Sequence, residues 1–304
     1  MEEAINFLIL IFLGITWGLS FSLMKIAVQN GGEPFGIAFW QALSCSIVLY
    51  AYIKMKHGKL GIKKSHIQLI TLLGIFGSAL PNVLFYLSAD KLAAGLLAIS
   101  VSFIPLLTYI FAFALKIELF SFRRVIGVLI GSIALNLLII PENSMPQKSD
   151  VFWVLIACVA AVSYAIENLL IDLKMPDDIG PVRIACGMNV MGAILVLPFA
   201  LMSNEKILPQ FPPTSLELSI LGLGFINAIA YSTFIFLIQR TGPVFASQTG
   251  YIVTLAGIIW GMLLFNETHS TWVWASLLLI IFGVILVSPR KQHQLKQDNL
   301  IHKQ

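Results

Sequence analysis

The sequence predicts an all-α polytopic membrane protein with ten transmembrane helices, arranged as two inverted five-helix repeats. Of its 304 residues, 58% are hydrophobic and only 11% are charged, whereas a soluble domain needs about a quarter charged residues to cover its surface. Ten apolar runs are long enough to cross the hydrocarbon core of a bilayer. The two halves of the chain also resemble each other, which indicates an internal duplication.

The ten apolar runs follow one another through short connections, and no soluble domain fits between them. The first run begins after MEEA, which has no basic residues of the signal-peptide kind, so we expect it to remain as the first span. The runs lie near residues 5–28, 35–53, 67–88, 92–115, 122–140, 151–173, 181–202, 216–239, 243–265 and 271–289.

The distribution of lysine and arginine predicts the orientation of the chain. With ten spans, both termini share a side with the loops after spans two, four, six and eight. That side carries fifteen of the 19 basic residues and the other side carries four. Because cytoplasmic loops are enriched in Lys and Arg, we expect both termini in the cytoplasm and the chain in the inner (plasma) membrane. The net charge of +4 is then a topology signal, and no nucleic-acid partner is predicted.

Self-comparison predicts how the duplication is arranged. An offset of 147 residues aligns GITWGLSFSLMK, from residue 14, with AVSYAIENLLID, from residue 161, so that Trp17 meets Tyr164. An offset of 149 aligns Glu118 with Glu267. Five spans is an odd number, so the second copy must enter the membrane upside down. We predict repeats at residues 1–146 and 147–290 and a cytoplasmic tail at 291–304; inverted repeats are an architecture of secondary transporters.

Three stretches carry a family resemblance: W-G in span one with a Lys near its end, LAAGLLAISVSFIPLL in span four followed by Glu118, and RTGPVFASQTGYIVTLAGIIWGMLLFNE in span nine. In these stretches the chain resembles the ten-span EamA-type members of the drug/metabolite transporter superfamily, and the resemblance covers essentially the whole chain. It implies a secondary carrier of small polar or amphipathic metabolites, with amino-acid exporters among the known members.

Two aromatic residues near the middle of spans predict a central substrate cavity. Trp17 lies in the middle of span one and its repeat mate Tyr164 in the middle of span six, whereas membrane tryptophans usually sit at the interface. The alternative is that Trp17 packs in the bundle and donates its indole N–H to a backbone carbonyl. Helical spacing adds further residues to the two faces: Ser20, Phe21, Glu167 and Asn168.

Glu167 is the only acidic residue well inside a predicted span. A carboxylate at that depth is costly and normally faces protein or water. It could bind a substrate ammonium group or carry a coupling proton. The structural alternatives are a hydrogen bond to Asn or Ser within the bundle, or a side chain that reaches the cytoplasmic interface.

Hydrogen-bonding groups recur on other spans and complete the predicted substrate site: Asn82, Tyr86, Asn227, Tyr231, Gln248 and Tyr251. Each could equally serve helix–helix contact. Lys25, near the outer end of span one, predicts either an extracellular gate or a lysine that reaches the headgroups. Pro105 removes a backbone hydrogen bond inside span four and predicts a bending point there.

The sequence argues against enzymatic and metal chemistry. All five histidines lie in loops, tails or span ends, HExxH and Walker A motifs are absent, and the three cysteines are widely separated. We therefore predict no cofactor and no metal, with proton coupling left open. We expect an exporter of amino acids or related metabolites, with amphipathic drugs or nucleoside-like metabolites as the alternative and a channel as a remote one.

Two glycine motifs allow close contact between helices: Gly127-x-x-x-Gly131 in span five and Gly257-x-x-x-Gly261 in span nine. They could serve packing within the chain or form a homodimer interface.

Overall fold

The structure, a computed structural model, describes residues 2–89, 91, 94–139, 151–202 and 210–265, together with scattered positions between 275 and 287. Within these residues every regular element is helical. Apolar runs in lipid fold this way because a helix satisfies its backbone hydrogen bonds internally. The predicted all-α class is confirmed.

Six α-helical segments are described in the first predicted half: α1 (Glu2–Gln29), α2 (Pro34–His57), α3 (Ile67–Leu73), α4 (Leu80–Ala89), α5 (Ala94–Ala114) and α6 (Phe122–Ile139). Pro34 begins α2, where its missing N–H costs nothing. The third predicted span is irregular. It opens with a 3₁₀ turn at Lys64–His66, and a π-helical segment at Gly74–Ala79 joins α3 to α4.

The described part of the second predicted half contains five helices: α7 (Val151–Lys174), α8 (Pro181–Met202), α9 (Ser215–Thr241), α10 (Pro243–Ser247) and α11 (Thr249–Phe265). Thr214 caps α9, because its hydroxyl accepts the Leu216 N–H at 3.3 Å while Glu217 accepts the Thr214 N–H at 2.8 Å. Gly242, at φ +85°, ends α9, and Pro243 begins α10. The short α10 and α11 together cover predicted span nine.

Seven helical stretches of the described residues are long and apolar enough to cross a membrane, two of them built from joined segments at Lys64–Ser88 and Pro243–Phe265. The chain is therefore a multi-pass membrane protein. The count of ten spans and the inverted repeat remain predictions. Most of predicted span ten (271–289), the tail at 291–304, Glu267 and the repeat boundary at 146–147 lie outside the described residues.

The packing of α1 and α7 is reciprocal between the predicted halves. Helix α1 packs against α9 and α11, which are the third and fourth spans of the second half. Helix α7 packs against α4 and α5, which are the third and fourth spans of the first half. The first helix of each half therefore lies against the other half.

Small residues allow the same reciprocal approach between second and third spans. Ser44 of α2 occupies the space where Gly224 of α9 has no side chain. Ser78 of the π-helical segment occupies the corresponding space at Gly192 of α8. Both contacts join the second span of one predicted half to the third span of the other.

Glycines bring α1 and α11 into backbone contact. A Cβ on Gly18 would lie 2.6 Å from the Ala256 Cβ and 2.9 Å from the Gly257 nitrogen, and one on Gly14 would overlap Ile252. The Gly14-x-x-x-Gly18 spacing thus forms a close-packing face of α1, which was not predicted.

Glycines of the two predicted motifs, Gly127-x-x-x-Gly131 and Gly257-x-x-x-Gly261, make packing contacts within the chain. Gly257 packs on Phe21, Gly131 on the ring of Tyr251, and Gly127 on the backbone of Gly283. The homodimer remains a prediction, because these contacts are all internal.

An ion cluster joins the segment after α2 to the segment between α7 and α8. The Lys63 ammonium lies 2.6 Å from Asp178 Oδ2, and His66 Nε2 lies 3.0 Å from Asp178 Oδ1. The Lys63 backbone N–H donates to His66 Nδ1 at 3.1 Å. Since Nδ1 accepts, Nε2 carries the ring hydrogen and donates to Asp178. The cluster ties the two predicted halves together outside the membrane spans.

We expect Asp178→Asn to lower the thermal stability of the protein slightly at pH 7. Hydrogen bonds from Lys63 and then from His66 hold the pKa of Asp178 below its usual range. A carboxylate with a lowered folded-state pKa stabilises fully above its unfolded pKa, and that contribution is lost as the pH falls through the folded value. The difference in Tm between wild type and variant should therefore shrink below about pH 4. Thermal unfolding in detergent at pH 7 and pH 3 checks this; an undiminished difference at pH 3 would contradict it.

Candidate functional site

A cavity of about 170 Å³ lies between α1, α2, α4, α5, α7, α9 and the α10–α11 segment. Ten of the predicted substrate-binding residues line it: Trp17, Ser20, Phe21, Asn82, Tyr86, Tyr164, Glu167, Asn168, Asn227 and Tyr231. They come from both predicted halves of the chain. The structure therefore brings the main group of predicted residues together around one space.

Tyr251 and Gln248, also predicted for the site, do not line the cavity. The Tyr251 hydroxyl donates to the Val128 carbonyl at 2.8 Å and lies 3.1 Å from the Ser132 hydroxyl, so its side chain faces α6. Gln248 is fully buried and donates to the Val244 carbonyl at 3.1 Å. The reason is the break between α10 and α11, across which helical periodicity does not continue.

Lys25 and Pro105 also lie outside the cavity lining. The Lys25 side chain is exposed, and its ammonium lies 4.4 Å from the centroid of the Phe265 ring, a distance typical of a cation–π contact. Pro105 lies inside α5 and is buried. Their predicted roles in gating and bending remain predictions.

Two hydrogen bonds across the predicted halves fix the amide groups in the cavity wall. The Trp17 indole N–H donates to Asn227 Oδ1 at 2.8 Å, and the Tyr164 hydroxyl donates to Asn82 Oδ1 at 3.0 Å. Trp17 thus binds a side chain and does not use the backbone carbonyl of the alternative interpretation. Because each amide oxygen accepts a hydrogen bond, each asparagine keeps its NH₂ group as a donor.

The Trp17 indole is held on its other sides by rings of α9. Its centroid lies 5.1 Å from that of Tyr231 and 5.4 Å from that of Phe234, in edge-on arrangements. Such pairs are favourable in this geometry. The Tyr231 hydroxyl in turn donates to the Gly77 carbonyl at 2.5 Å. The aromatic wall is therefore fixed by both packing and hydrogen bonds.

The carboxylate of Glu167 lies against the π-helical segment. A Cβ on Gly77 would overlap this carboxylate, so the glycine provides the space that it occupies. The side chain is 1% exposed and does not reach the interface. Its Oε1 has no hydrogen-bond partner among the described residues. Neither structural alternative for Glu167 accounts for this Oε1.

Three more buried oxygens in the cavity wall lack a partner within the described part of the chain: Ser20 Oγ, Gln41 Oε1 and Thr249 Oγ1. Buried polar atoms in native proteins are nearly always hydrogen-bonded, to protein or to water. Four unpartnered oxygens around one cavity therefore indicate a site whose hydrogen bonds are completed by a bound molecule or by water.

Several residues of the lining were not predicted. Gln41 is an amide in the middle of apolar span two, and this isolation was a usable signal. Thr249 follows the helix break, which the sequence alone does not reveal. The rest of the lining is mostly apolar: Met24, Phe85, Val101, Ile104, Leu223, Phe234, Ser247, Gly250 and Val253.

The charge of the lining is one-sided. Glu167 is the one ionisable carboxylate on it, and none of the described lining residues is a lysine, arginine or histidine. Among the described residues, no three or more His, Cys, Asp or Glu side chains form a group that could hold a metal ion. The site is thus an aromatic cavity with a single acidic group, which suits binding of an organic molecule.

Comparison with known proteins shows similarity to membrane transporters. The profile of the EamA-like transporter family matches residues 5–140 and 151–288. An uncharacterized inner membrane transporter, YedA, from Escherichia coli (strain K12) is 25% identical over 282 residues, which cover 90% of this chain and 87% of the relative. An uncharacterized transporter, YvbV, from Bacillus subtilis (strain 168) is 23% identical over 293 residues, 94% of this chain and 92% of the relative.

A solved crystal structure gives the same fold. It superposes on this chain with a TM-score of 0.74 at 16% sequence identity, covering 91% of this chain and 95% of the other. At this identity the likeness concerns the fold alone.

Proposed function

The chain belongs to the EamA-like transporter family, and from this premise we propose that it is a secondary transporter that works by alternating access. Membrane transport is the activity that the names of its bacterial and archaeal relatives share. The chain has no Walker A sequence, so ATP-driven transport within it has no basis. Transport, and not catalysis, is the function that the family membership supports.

Reciprocal contacts support the proposal of ten spans in two inverted halves. The first helix of each half lies against the third and fourth spans of the other half. The hydrogen bonds of Trp17 with Asn227 and of Tyr164 with Asn82 repeat this exchange at the cavity. An inverted duplication would produce such paired contacts, and a cavity between two related halves suits alternating exposure.

The proposed cargo is an amino acid or a related small metabolite, and the proposed direction is export. The observation that carries this proposal is the buried, unpartnered Glu167 Oε1 in the cavity wall. Glu167 would bind the amino group, the NH₂ groups of Asn82 and Asn227 would face the polar end, and Trp17 and Tyr164 would wall the site.

The aromatic share of the lining favours a second class of cargo. Seven rings line the cavity: Trp17, Phe21, Phe85, Tyr86, Tyr164, Tyr231 and Phe234. Rings on this scale suit amphipathic drugs or nucleoside-like metabolites, which stack on aromatic faces. We keep this class as the alternative.

Proton coupling follows from the same carboxylate. An unpaired buried carboxylate is costly, and either a proton or a substrate cation removes that cost. Exchange of the two at Glu167 would couple transport to a proton gradient without any cofactor.

We place the transporter in the inner membrane with both termini in the cytoplasm, on the basis of the basic loops and the inner-membrane relative.

Counterflow in proteoliposomes tests the proposed function. Vesicles loaded with a mixture of amino acids should take up labelled amino acids in a saturable way, faster with a pH gradient than without. Protein-free vesicles provide the control. Unsaturable ion conductance would indicate a channel. Absence of exchange by folded protein would reject the amino-acid proposal and direct the same assay to amphipathic drugs and nucleosides.

A further inference from the structure

We propose that the group recognised in the cavity is an organic ammonium, and that a carboxylate on the cargo is dispensable. A primary amine with an apolar body is then a substrate of this protein, equal to or better than the amino acid with the same side chain. This inference rests on the proposed transport function and names the substrate class for the same cavity.

The charges around the cavity favour binding of a cation, and among the described lining residues they include no positive group that could pair with an anion. Glu167 contributes one carboxylate, and the described lining contains no cationic side chain. The nearest candidate on α1, Lys25, is exposed and lies over Phe265. A bound zwitterion would pair its ammonium but leave its carboxylate without a counter-ion in a largely apolar space. Leaving a charge unpaired there is costly.

The unpartnered atoms require hydrogen-bond donors on the ligand. Glu167 Oε1, as a carboxylate oxygen, and Gln41 Oε1 are acceptors, and both lack a partner among the described residues. An ammonium group carries three N–H donors and no acceptor. It can donate to each of these oxygens, and to a hydroxyl such as that of Thr249, without presenting an acceptor that conflicts with them. A carboxylate brings only acceptors, so it cannot satisfy either oxygen.

The donors that remain in the wall are neutral. Asn82 and Asn227 each keep an NH₂ group after their oxygens accept from Tyr164 and Trp17. Hydrogen bonds between a neutral donor and a carboxylate are favourable, but they do not remove the charge. Removing the carboxylate from the ligand therefore removes a desolvation cost at the expense of these weaker contacts.

The rings provide the other half of an ammonium site. Aromatic faces attract cations, and aromatic cages are a recurring solution for binding organic ammonium groups. Trp17, Tyr164 and Tyr231 all line the cavity together with Glu167. An ammonium beside the carboxylate would lie among these rings, while the apolar body of the ligand contacts Phe85, Val101 and Ile104.

Binding of matched compounds to the purified protein tests the inference. We would titrate leucine, 3-methylbutylamine and 4-methylpentanoate calorimetrically in detergent at pH 7; the three share a side chain and differ only in the charged groups. A second set is phenylalanine, phenethylamine and 3-phenylpropionate. Detergent solution avoids leakage of neutral amines through lipid. We expect each amine to bind at least as tightly as its amino acid, and each acid not to bind.

Three results of these titrations would overturn the inference. Amines that bind at least tenfold more weakly than the amino acids would overturn the inference and leave the proposed function standing. Binding of none of the six compounds would overturn the inference, and the counterflow assay would then judge transport separately. Binding of the acids alone would overturn it as well.

A pair of variants adds a check on the acceptors. Gln41→Leu removes the unpartnered amide oxygen and should weaken amine binding roughly tenfold, the cost of one hydrogen bond to a charged group. Gln239→Leu makes the same change at an exposed position of α9 and should leave amine binding unchanged. Equal affinities of Gln41→Leu and wild type for the amine would contradict the assigned acceptor.

Discussion

Replacing Glu167 with glutamine is expected to weaken transport strongly while the protein stays folded. Glutamine has nearly the shape of glutamate, but it lacks the charge that would pair with a cationic cargo or a proton. A hydrogen bond to a charged group contributes about 1.5–3 kcal/mol, so loss of the charge should reduce transport by roughly 10- to 100-fold, and further if proton coupling is lost. The measurement is saturable counterflow in proteoliposomes.

The fold of this variant should not suffer, because removing an unpaired buried charge does not leave a partner charge behind. Its Tm in detergent should equal or exceed that of wild type. Glu33→Gln is the matched control: Glu33 is exposed, lies before α2 and makes no capping hydrogen bond with its side chain. Wild-type flux in Glu167→Gln would reject the role of Glu167, whereas loss of folded protein would show that its role is structural.

The second large effect is expected from Gly18→Leu, which should separate α1 from α11. A Cβ at this position would lie within 3.0 Å of backbone and side-chain atoms of Ala256 and Gly257, and backbone cannot move aside as a flexible side chain can. Overpacking of this kind costs about 1–3 kcal/mol or more. Because α1 carries Trp17 and Ser20 into the cavity, we expect both a lower Tm and loss of transport.

Thermal unfolding and size-exclusion chromatography of the purified variant check this expectation. Gly180→Ala is the control, since nothing lies within 4 Å of a Cβ at Gly180. A Gly18→Leu protein with wild-type Tm and flux would mean that the α1–α11 contact is not as close as the structure has it.

Much of the cavity could be predicted because the membrane makes polarity informative. A tryptophan, a tyrosine and a glutamate near the middle of apolar runs stand out against lipid, and Trp17, Tyr164 and Glu167 all line the cavity. Asn82 and Asn227 were found in the same way, each four residues before a tyrosine. Regular helices then carry these side chains to the positions that helical spacing implies.

The cavity lining departs from the predicted set of residues where the helices are not regular. Gln248 and Tyr251 were placed by the periodicity of one continuous span, but the chain breaks between α10 and α11 and turns Tyr251 toward α6. The π-helical segment that receives the Glu167 carboxylate has no sequence signature beyond its glycines. Close contacts such as that of Gly18 with Gly257 depend on which helices pack together. The sequence of one helix does not reveal which helix will be its neighbour.

The single carboxylate of the cavity has an electrical consequence. With an organic ammonium bound beside Glu167, the loaded carrier presents a neutral site to the membrane field, whereas an empty, unprotonated carrier presents a negative one. Voltage then acts on the return of the empty carrier and hardly on the step that moves cargo. The work is at most ~2.3 kcal/mol for a full charge and 100 mV. An inside-negative potential therefore holds the empty, unprotonated site toward the outer face, and a proton on Glu167 would remove this effect.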